Sequence, residues 1–227
     1  LRVRKFVQGF LAGFRHLLMN PSTTLKYHMG RQPPQPRMTI VIRVAEKASL
    51  SPAPSASLDR YAHAAANLLC LNPLMAPAIE LRGGELLVET SHPVLAAITG
   101  PAAVAVDGRK AGTWSALYVE RSLSVFAEGR AYVSVRGLRA PAERKVPLSS
   151  GVELSTEPNG QNGVSGRLLA ALKVPPSLLS DNGDWLQAAH RLQRYFELLT
   201  DIVQKGAELV RVNIGGVEYE AWVLEVS

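Results

Sequence analysis

Few residues in this 227-residue chain are of types that carry chemistry, and their spacing excludes several reaction classes. The five histidines (His16, His28, His63, His92 and His190) stand far apart, without metal-ligand spacing and without a Ser-His-Asp arrangement. His63 and His190 fall within predicted helices, and His92 precedes Pro93 in a turn. The single cysteine, Cys70, leaves no disulfide framework and no zinc-type cluster, and suits a reducing, intracellular compartment. No phosphate-cradling glycine loop appears, so ATP binding is not supported, and Gly83-Gly84 reads as a turn. No metal and no cofactor is expected. Asp59 stands where it caps a helix.

The elements that position these residues follow from local pattern. Ala62, Ala65, Ala66, Leu68 and Leu69 predict a helix over 61–71, stopped by Asn72-Pro73. Strands are expected at 39–44, 86–88, 94–100 and 130–135, with a strand or a pair at 118–126. Turn signals at Arg82-Gly83-Gly84, Pro101–Ala103, Asp107-Gly108 and Glu128-Gly129 recur about every 8 to 12 residues, which suits an antiparallel barrel or sandwich. The Ser/Pro/Ala stretch 49–57 reads as a linker, and 140–180 as a long irregular connection. The clearest helix runs from Asp184 to Lys205, capped by Asp184 and ended by Gly206. A hairpin follows, with Val210, Val212 and Ile214 turning through Gly215-Gly216 into Val217, Tyr219, Ala221 and Val223.

Composition adds a polarity. Apolar residues make up 47% of the chain, enough for a sizeable core, and no apolar run reaches membrane-spanning length. The net charge of +6 is concentrated at one end, where residues 1–45 hold eight Lys or Arg and no acid. Within that arm, Phe6, Phe10, Phe14 and Leu17 recur at helical spacing beside Arg15, predicting an amphipathic helix over 6–18, with Lys26 beyond it. Such an arm suits RNA, a membrane surface or a groove on a partner protein; packing on the chain's own core is the plainer alternative. An acid-poor amphipathic start is also similar to a mitochondrial targeting peptide, so the matrix side of a mitochondrion is expected, with the cytoplasm as alternative.

From Ser55 to Gly137 the order of short motifs resembles a known family. Ser55–Asp59, Ala66–Leu69, Asn72-Pro73, Ile79-Glu80, Thr99-Gly100, Trp114 and Arg130–Tyr132 follow the order found in biotin-dependent carboxyltransferases of the allophanate hydrolase and prokaryotic 5-oxoprolinase type. The resemblance implies a cyclophilin-like β-barrel over 38–140. It also implies that Asp59, Arg60, Asn67 and Glu80 would be the catalytic residues if the chain is active, binding and orienting a small amide or carboxylate. The structural alternative has Asp59 capping its helix, Arg60 paired with an acid and Asn67 satisfying loop backbone. A Thr-Val-Gln-Asp-Leu-Gly-Arg segment is missing before residue 58, and no second barrel half is recognisable after 140. Residues 6–37 resemble, more weakly, the N-terminal leader of the ferredoxin-like subunit of respiratory complex I, although the cluster-binding cysteines of that subunit are absent.

The expected fold is therefore mainly β, a cyclophilin-like barrel with an N-terminal amphipathic helix, one helix after the first strand, and a C-terminal helix plus hairpin. The expected division is a basic arm (1–37), a carboxyltransferase-like barrel (38–140), an irregular connection (141–183) and the helix with hairpin (184–227). Two functions compete. One is a catalytically degenerate barrel serving as a structural subunit of a larger assembly, of mitochondrial-ribosome or respiratory-complex type, anchored through Phe6, Phe10, Phe14, Arg15 and Lys26. The other is a working 5-oxoprolinase or amide carboxyltransferase subunit paired with a sister subunit.

Overall fold

A computed structural model describes residues 38–140, 143–156, 172–180 and 183–224. The amphipathic helix expected over 6–18, and with it Phe6, Phe10, Phe14, Arg15 and Lys26, lies outside the described residues.

The chain is mainly β, as expected, with two α-helices among the described residues. Ten strands among the described residues form one antiparallel sheet: β1 (Met38–Ala45), β2 (Ala48–Ser51), β3 (Ala78–Thr90), β4 (Val94–Thr99), β5 (Ala102–Val106), β6 (Arg109–Ala111), β7 (Ser115–Val119), β8 (Ser122–Val135), β9 (Val146–Pro147) and β10 (Glu153–Thr156). The long strands β3 and β8 pair with each other on both sides of a register shift and run through both halves of the sheet. One half, around Ile79 and Val133, is flanked by β2 and β4; the other, around Val88 and Leu123, is flanked by β1 and β5. The sheet thus wraps round its core, and its ladder does not close into a ring among the described residues.

The wrap depends on a bulge that sequence pattern alone presents as a turn. At Gly83-Gly84 the chain does not reverse; β3 continues, and its register against β8 shifts between Arg82 and Gly84. The inward set changes there from Ile79 and Leu81 to Leu86 and Val88, so the strand keeps apolar residues inside on both sides of the bend. Both glycines have positive φ, and a Cβ on Gly84 would sit 2.8 Å from the Glu46 Cβ. Glu128-Gly129 likewise lies within continuous β8. Asp107-Gly108, by contrast, is the expected hairpin turn, with φ of 50 and 80.

Two more expectations change. The 49–57 stretch is not a featureless linker, since β2 pairs with both β3 and β9 and a 3-10 turn follows at Pro54–Ala56. Within 140–180, β9 and β10 pair with β2 and β1, so this part of the chain completes the sheet edge. Short two- and four-residue strands among prolines carry too little periodicity to be seen in sequence.

The helices lie on one side of the sheet. α1 (Arg60–Leu69) is capped by Asp59 and is buried on every face from Tyr61 to Leu69. Its alanines explain this: Ala62 and Ala66 meet Tyr132 on the sheet side, while Ala64, Ala65, Leu68 and Leu69 meet the second helix. That helix, α2 (Trp185–Gln204), is capped by Asp184 and presents Ala188, Ala189, Leu192, Phe196, Leu199 and Val203. A separate two-stranded hairpin, β11 (Glu208–Ile214) and β12 (Val217–Val223), follows as the alternation predicts, with Trp222 against the helical cluster.

Candidate functional site

The outer faces of β4 and β8 carry alternate residues toward α1, and several are polar. Thr99 donates from its hydroxyl to the Ala62 carbonyl at 2.7 Å, and the Asp59 backbone N–H donates to the Tyr132 hydroxyl at 2.9 Å. Asp59 accepts from the Ala62 N–H at 2.8 Å, which fixes the first turn of α1. Gly100 follows Thr99 at φ 92, and any Cβ there would stand 2.4 Å from the Arg130 carbonyl oxygen. The Thr-Gly and Arg-Ala-Tyr motifs are thus two sides of one close contact.

Trp114 completes the arrangement. Its φ of 59 is a left-handed conformation that a bulky side chain rarely adopts. Two backbone bonds hold it: its N–H donates to the Ile98 carbonyl at 2.7 Å, and its own carbonyl accepts from the Val174 N–H at 2.9 Å. The indole stacks on Tyr61 at 6.3 Å between centroids, and Tyr61 donates its hydroxyl to the Leu178 carbonyl. Asp59, Arg60, Tyr61, Trp114, Arg130 and Trp185 line a cleft of about 480 Å³ at the N-terminus of α1.

Beneath α1 lies a second, closed polar layer. The Asn67 amide donates to the Ala76 carbonyl at 2.7 Å and to the Leu74 carbonyl at 3.3 Å, while its oxygen accepts from the Ser134 hydroxyl at 2.8 Å. Asn72 donates to Ser134 and to the Val135 carbonyl, and accepts from the Gly137 N–H. His63 lies 2.9 Å from the Ala76 carbonyl through Nε2; because a carbonyl only accepts, the proton sits on Nε2 and Nδ1 accepts from Ser57 at 2.7 Å. Burial pushes the His63 pKa down to about 4, against the carbonyl bond and the charge of Glu80, which raise it. Burial pushes the Cys70 thiol up to about 12, so it is an inert donor to the Ser134 carbonyl and not a nucleophile. Tyr132 is also pushed up to about 12, by burial first.

Glu80 is fully buried on β3, between Lys145 at 2.7 Å and Arg82 at 3.0 Å. Burial raises its carboxyl, but the hydrogen bonds from Lys145 and Arg82 outweigh that, and its pKa lies below the usual value.

Of the four residues expected from the resemblance, the structure brings Asp59 and Arg60 to the cleft. Asn67 stands in the closed layer and Glu80 in its own ion-pair cluster. Arg60, expected to pair with an acid, forms no ion pair among the described residues. Trp114 and Arg130 are visible in sequence as motif residues, yet only the fold shows that they share a wall with Arg60. Lys145 and Trp185 carry no site signal in sequence, since they reach their places from outside the motif run.

No curated protein sequence matches the chain. Among solved structures, the urea amidolyase of Kluyveromyces lactis is 20% identical, with a TM-score of 0.50 over 63% of this chain and 11% of its own. The urea carboxylase of the same organism is 18% identical, with a TM-score of 0.48 over 53% of this chain and 14% of its own. The chain therefore spans a small part of either enzyme, and at 20% identity the likeness to the urea amidolyase concerns the fold alone. The family model described as carboxyltransferase domain, subdomain A and B, matches residues 52–174, more than half the chain. With Thr99-Gly100 against Arg130 and with Asp59, Trp114 and Arg130 around one cleft, this chain belongs to the carboxyltransferase domain family, subdomains A and B.

Proposed function

We propose that this chain is an accessory subunit of a larger assembly, a carboxyltransferase-family barrel that no longer performs the chemistry alone. The observation that carries this reading is the engagement of its motif polar groups. Asp59 is spent on capping, Asn67 on three hydrogen bonds, and Glu80 on two ion pairs. None of the three is a poised general acid or base. The basic arm, with eight Lys or Arg and no acid in residues 1–45, supplies the anchoring end, toward neighbouring subunits or RNA.

The cleft supports a second reading, in which the chain is the A/B half of a 5-oxoprolinase or amide carboxyltransferase and a sister subunit supplies the missing groups. Native pull-down of the full chain with mass spectrometry separates the two. The accessory reading expects many co-purifying subunits, their loss on removal of residues 1–37, and no effect of Asp59→Asn, which keeps the cap and removes the charge. A single sister subunit, with 5-oxoproline turnover abolished by Asp59→Asn, overturns it.

A further inference from the structure

We infer that a second pocket, between the β5–β6 turn and the β7–β8 turn, binds a nucleotide, its phosphate on Arg109, Lys110 and Arg121 and its base on Tyr118. The pocket shares no lining residue with the cleft at the start of α1, and the inference does not rest on the accessory reading.

Asp107 builds the pocket. From the β5–β6 turn its carboxylate accepts three successive backbone N–H groups, Glu120 at 3.0 Å and Arg121 and Ser122 at 2.8 Å. Its own backbone N–H donates to the Ser122 carbonyl at 2.9 Å. Burial raises the Asp107 carboxyl, but the three N–H bonds and the charge of Arg121 outweigh that, and its pKa lies below the usual value. The two turns are thus tied together before any ligand arrives, which lowers the cost of binding between them. The pocket there has a volume of about 390 Å³.

Charge sets the sign of the ligand. Arg109 and Lys110 come from β6 and Arg121 from the β7–β8 turn, and all three are exposed. None of them forms an ion pair among the described residues. Of the two acids in the lining, Asp107 is already saturated by its N–H bonds, which leaves Glu120 against three cations. Cations arriving from two separate turns suit the several oxygens of a phosphate better than the two of a carboxylate.

The aromatic member sets the rest of the ligand. Tyr118 lines the same pocket at 48% exposure, so its ring is open to stacking, while Val106 and Leu117 add apolar lining. An exposed ring among basic side chains is the combination that holds an unpaired base with its phosphate. A base inside a duplex offers no free face, so the ligand is a free nucleotide or one unit of a single strand.

The test uses the full chain and the fluorescence anisotropy of a labelled oligouridylate about 12 nucleotides long. The parent is compared with Arg109→Gln/Lys110→Gln/Arg121→Gln between about 50 and 200 mM salt; the basic arm is present in both and cancels. The triple variant should bind about tenfold or more weakly, and its salt slope should be shallower by about 2, at about 0.7 per phosphate contact on a single strand. Tyr118→Ala should weaken the oligouridylate about fivefold or more while keeping the parent's slope, and should leave polyphosphate binding unchanged. Lys205→Gln, at the end of α2, should change nothing, and circular dichroism should be the same throughout. Uridine monophosphate added as competitor assigns the source: displacement of the oligomer supports a free nucleotide, and its retention supports the strand. The inference is overturned if the triple variant keeps the parent's affinity and slope, or if Tyr118→Ala binds as the parent does. A parent that does not saturate below about 1 mM oligouridylate overturns it as well.

Discussion

His63 shows how a residue with a catalytic reputation becomes structural. It sits at 0% exposure, donates through Nε2 to a carbonyl, and accepts through Nδ1 from Ser57, so it is neutral and fully used. Its folded pKa of about 4 lies below its ordinary 6.5. Between those values the unfolded chain binds a proton that the folded chain refuses, so stability falls as pH drops from 6.5 toward 4. The loss is about 3 kcal/mol across that window. Glu80, also depressed, adds its own loss only below its ordinary 4.5, as the pH falls through its lower folded value. His92 shifts in the same direction as His63, from a half-buried position, so the wild-type slope alone does not assign the effect. Urea denaturation at pH 7 and pH 4.5 should show His63→Gln losing most of the difference that the parent shows. An unchanged difference would remove His63 as its source. At the same scale, Glu80→Gln should cost about 2 kcal/mol at pH 7 through weakened bonds to Lys145 and Arg82.

Among the elements, the turn from β4 to β5 sets the site, because Gly100 must lie against the Arg130 backbone. Gly100→Ala meets both a left-handed φ of 92 and an oxygen at 2.4 Å, and should cost about 3 kcal/mol. Gly108→Ala has a φ of 80 but open space, and should cost about 1 kcal/mol. Thermal melts of the pair should differ by several degrees, and equal losses would show that the close approach does not matter. This contact also marks what sequence can and cannot convey. The helices, their Asp caps and the final hairpin are legible because each is a local pattern of period 3.6 or 2. Gly83-Gly84 is not, because a bulge and a turn use the same residue type, and only pairing with β8 distinguishes them. Asp59 is legible as a cap, since capping is local. The role of Glu80 is hidden, since Lys145 lies 65 positions away. The cleft is hidden for the same reason: Arg60, Trp114, Arg130 and Trp185 meet only after the sheet has wrapped.

For the whole molecule, the question is whether the C-terminal part, beyond the family match at 52–174, is an appendage or part of the core. Packing argues for the core as far as α2. Leu192, Phe196, Leu199 and Val203 are buried in one cluster with the Ala-rich outer face of α1, and at roughly 2 kcal/mol each they contribute about 8 kcal/mol. That is the size of a typical domain's entire stability. The hairpin differs, since among the described residues its strands pair only with each other, while Trp222 packs against the helical cluster. Ending the chain after residue 206 should leave one cooperative unfolding transition, lowered by about 2 kcal/mol. Ending it after residue 183 should expose α1, bind ANS and abolish the sharp transition. If the shorter chain instead melts cooperatively near the parent temperature, the sheet with α1 is self-sufficient. In that case the second helix would serve the cleft, through Trp185, and not the fold.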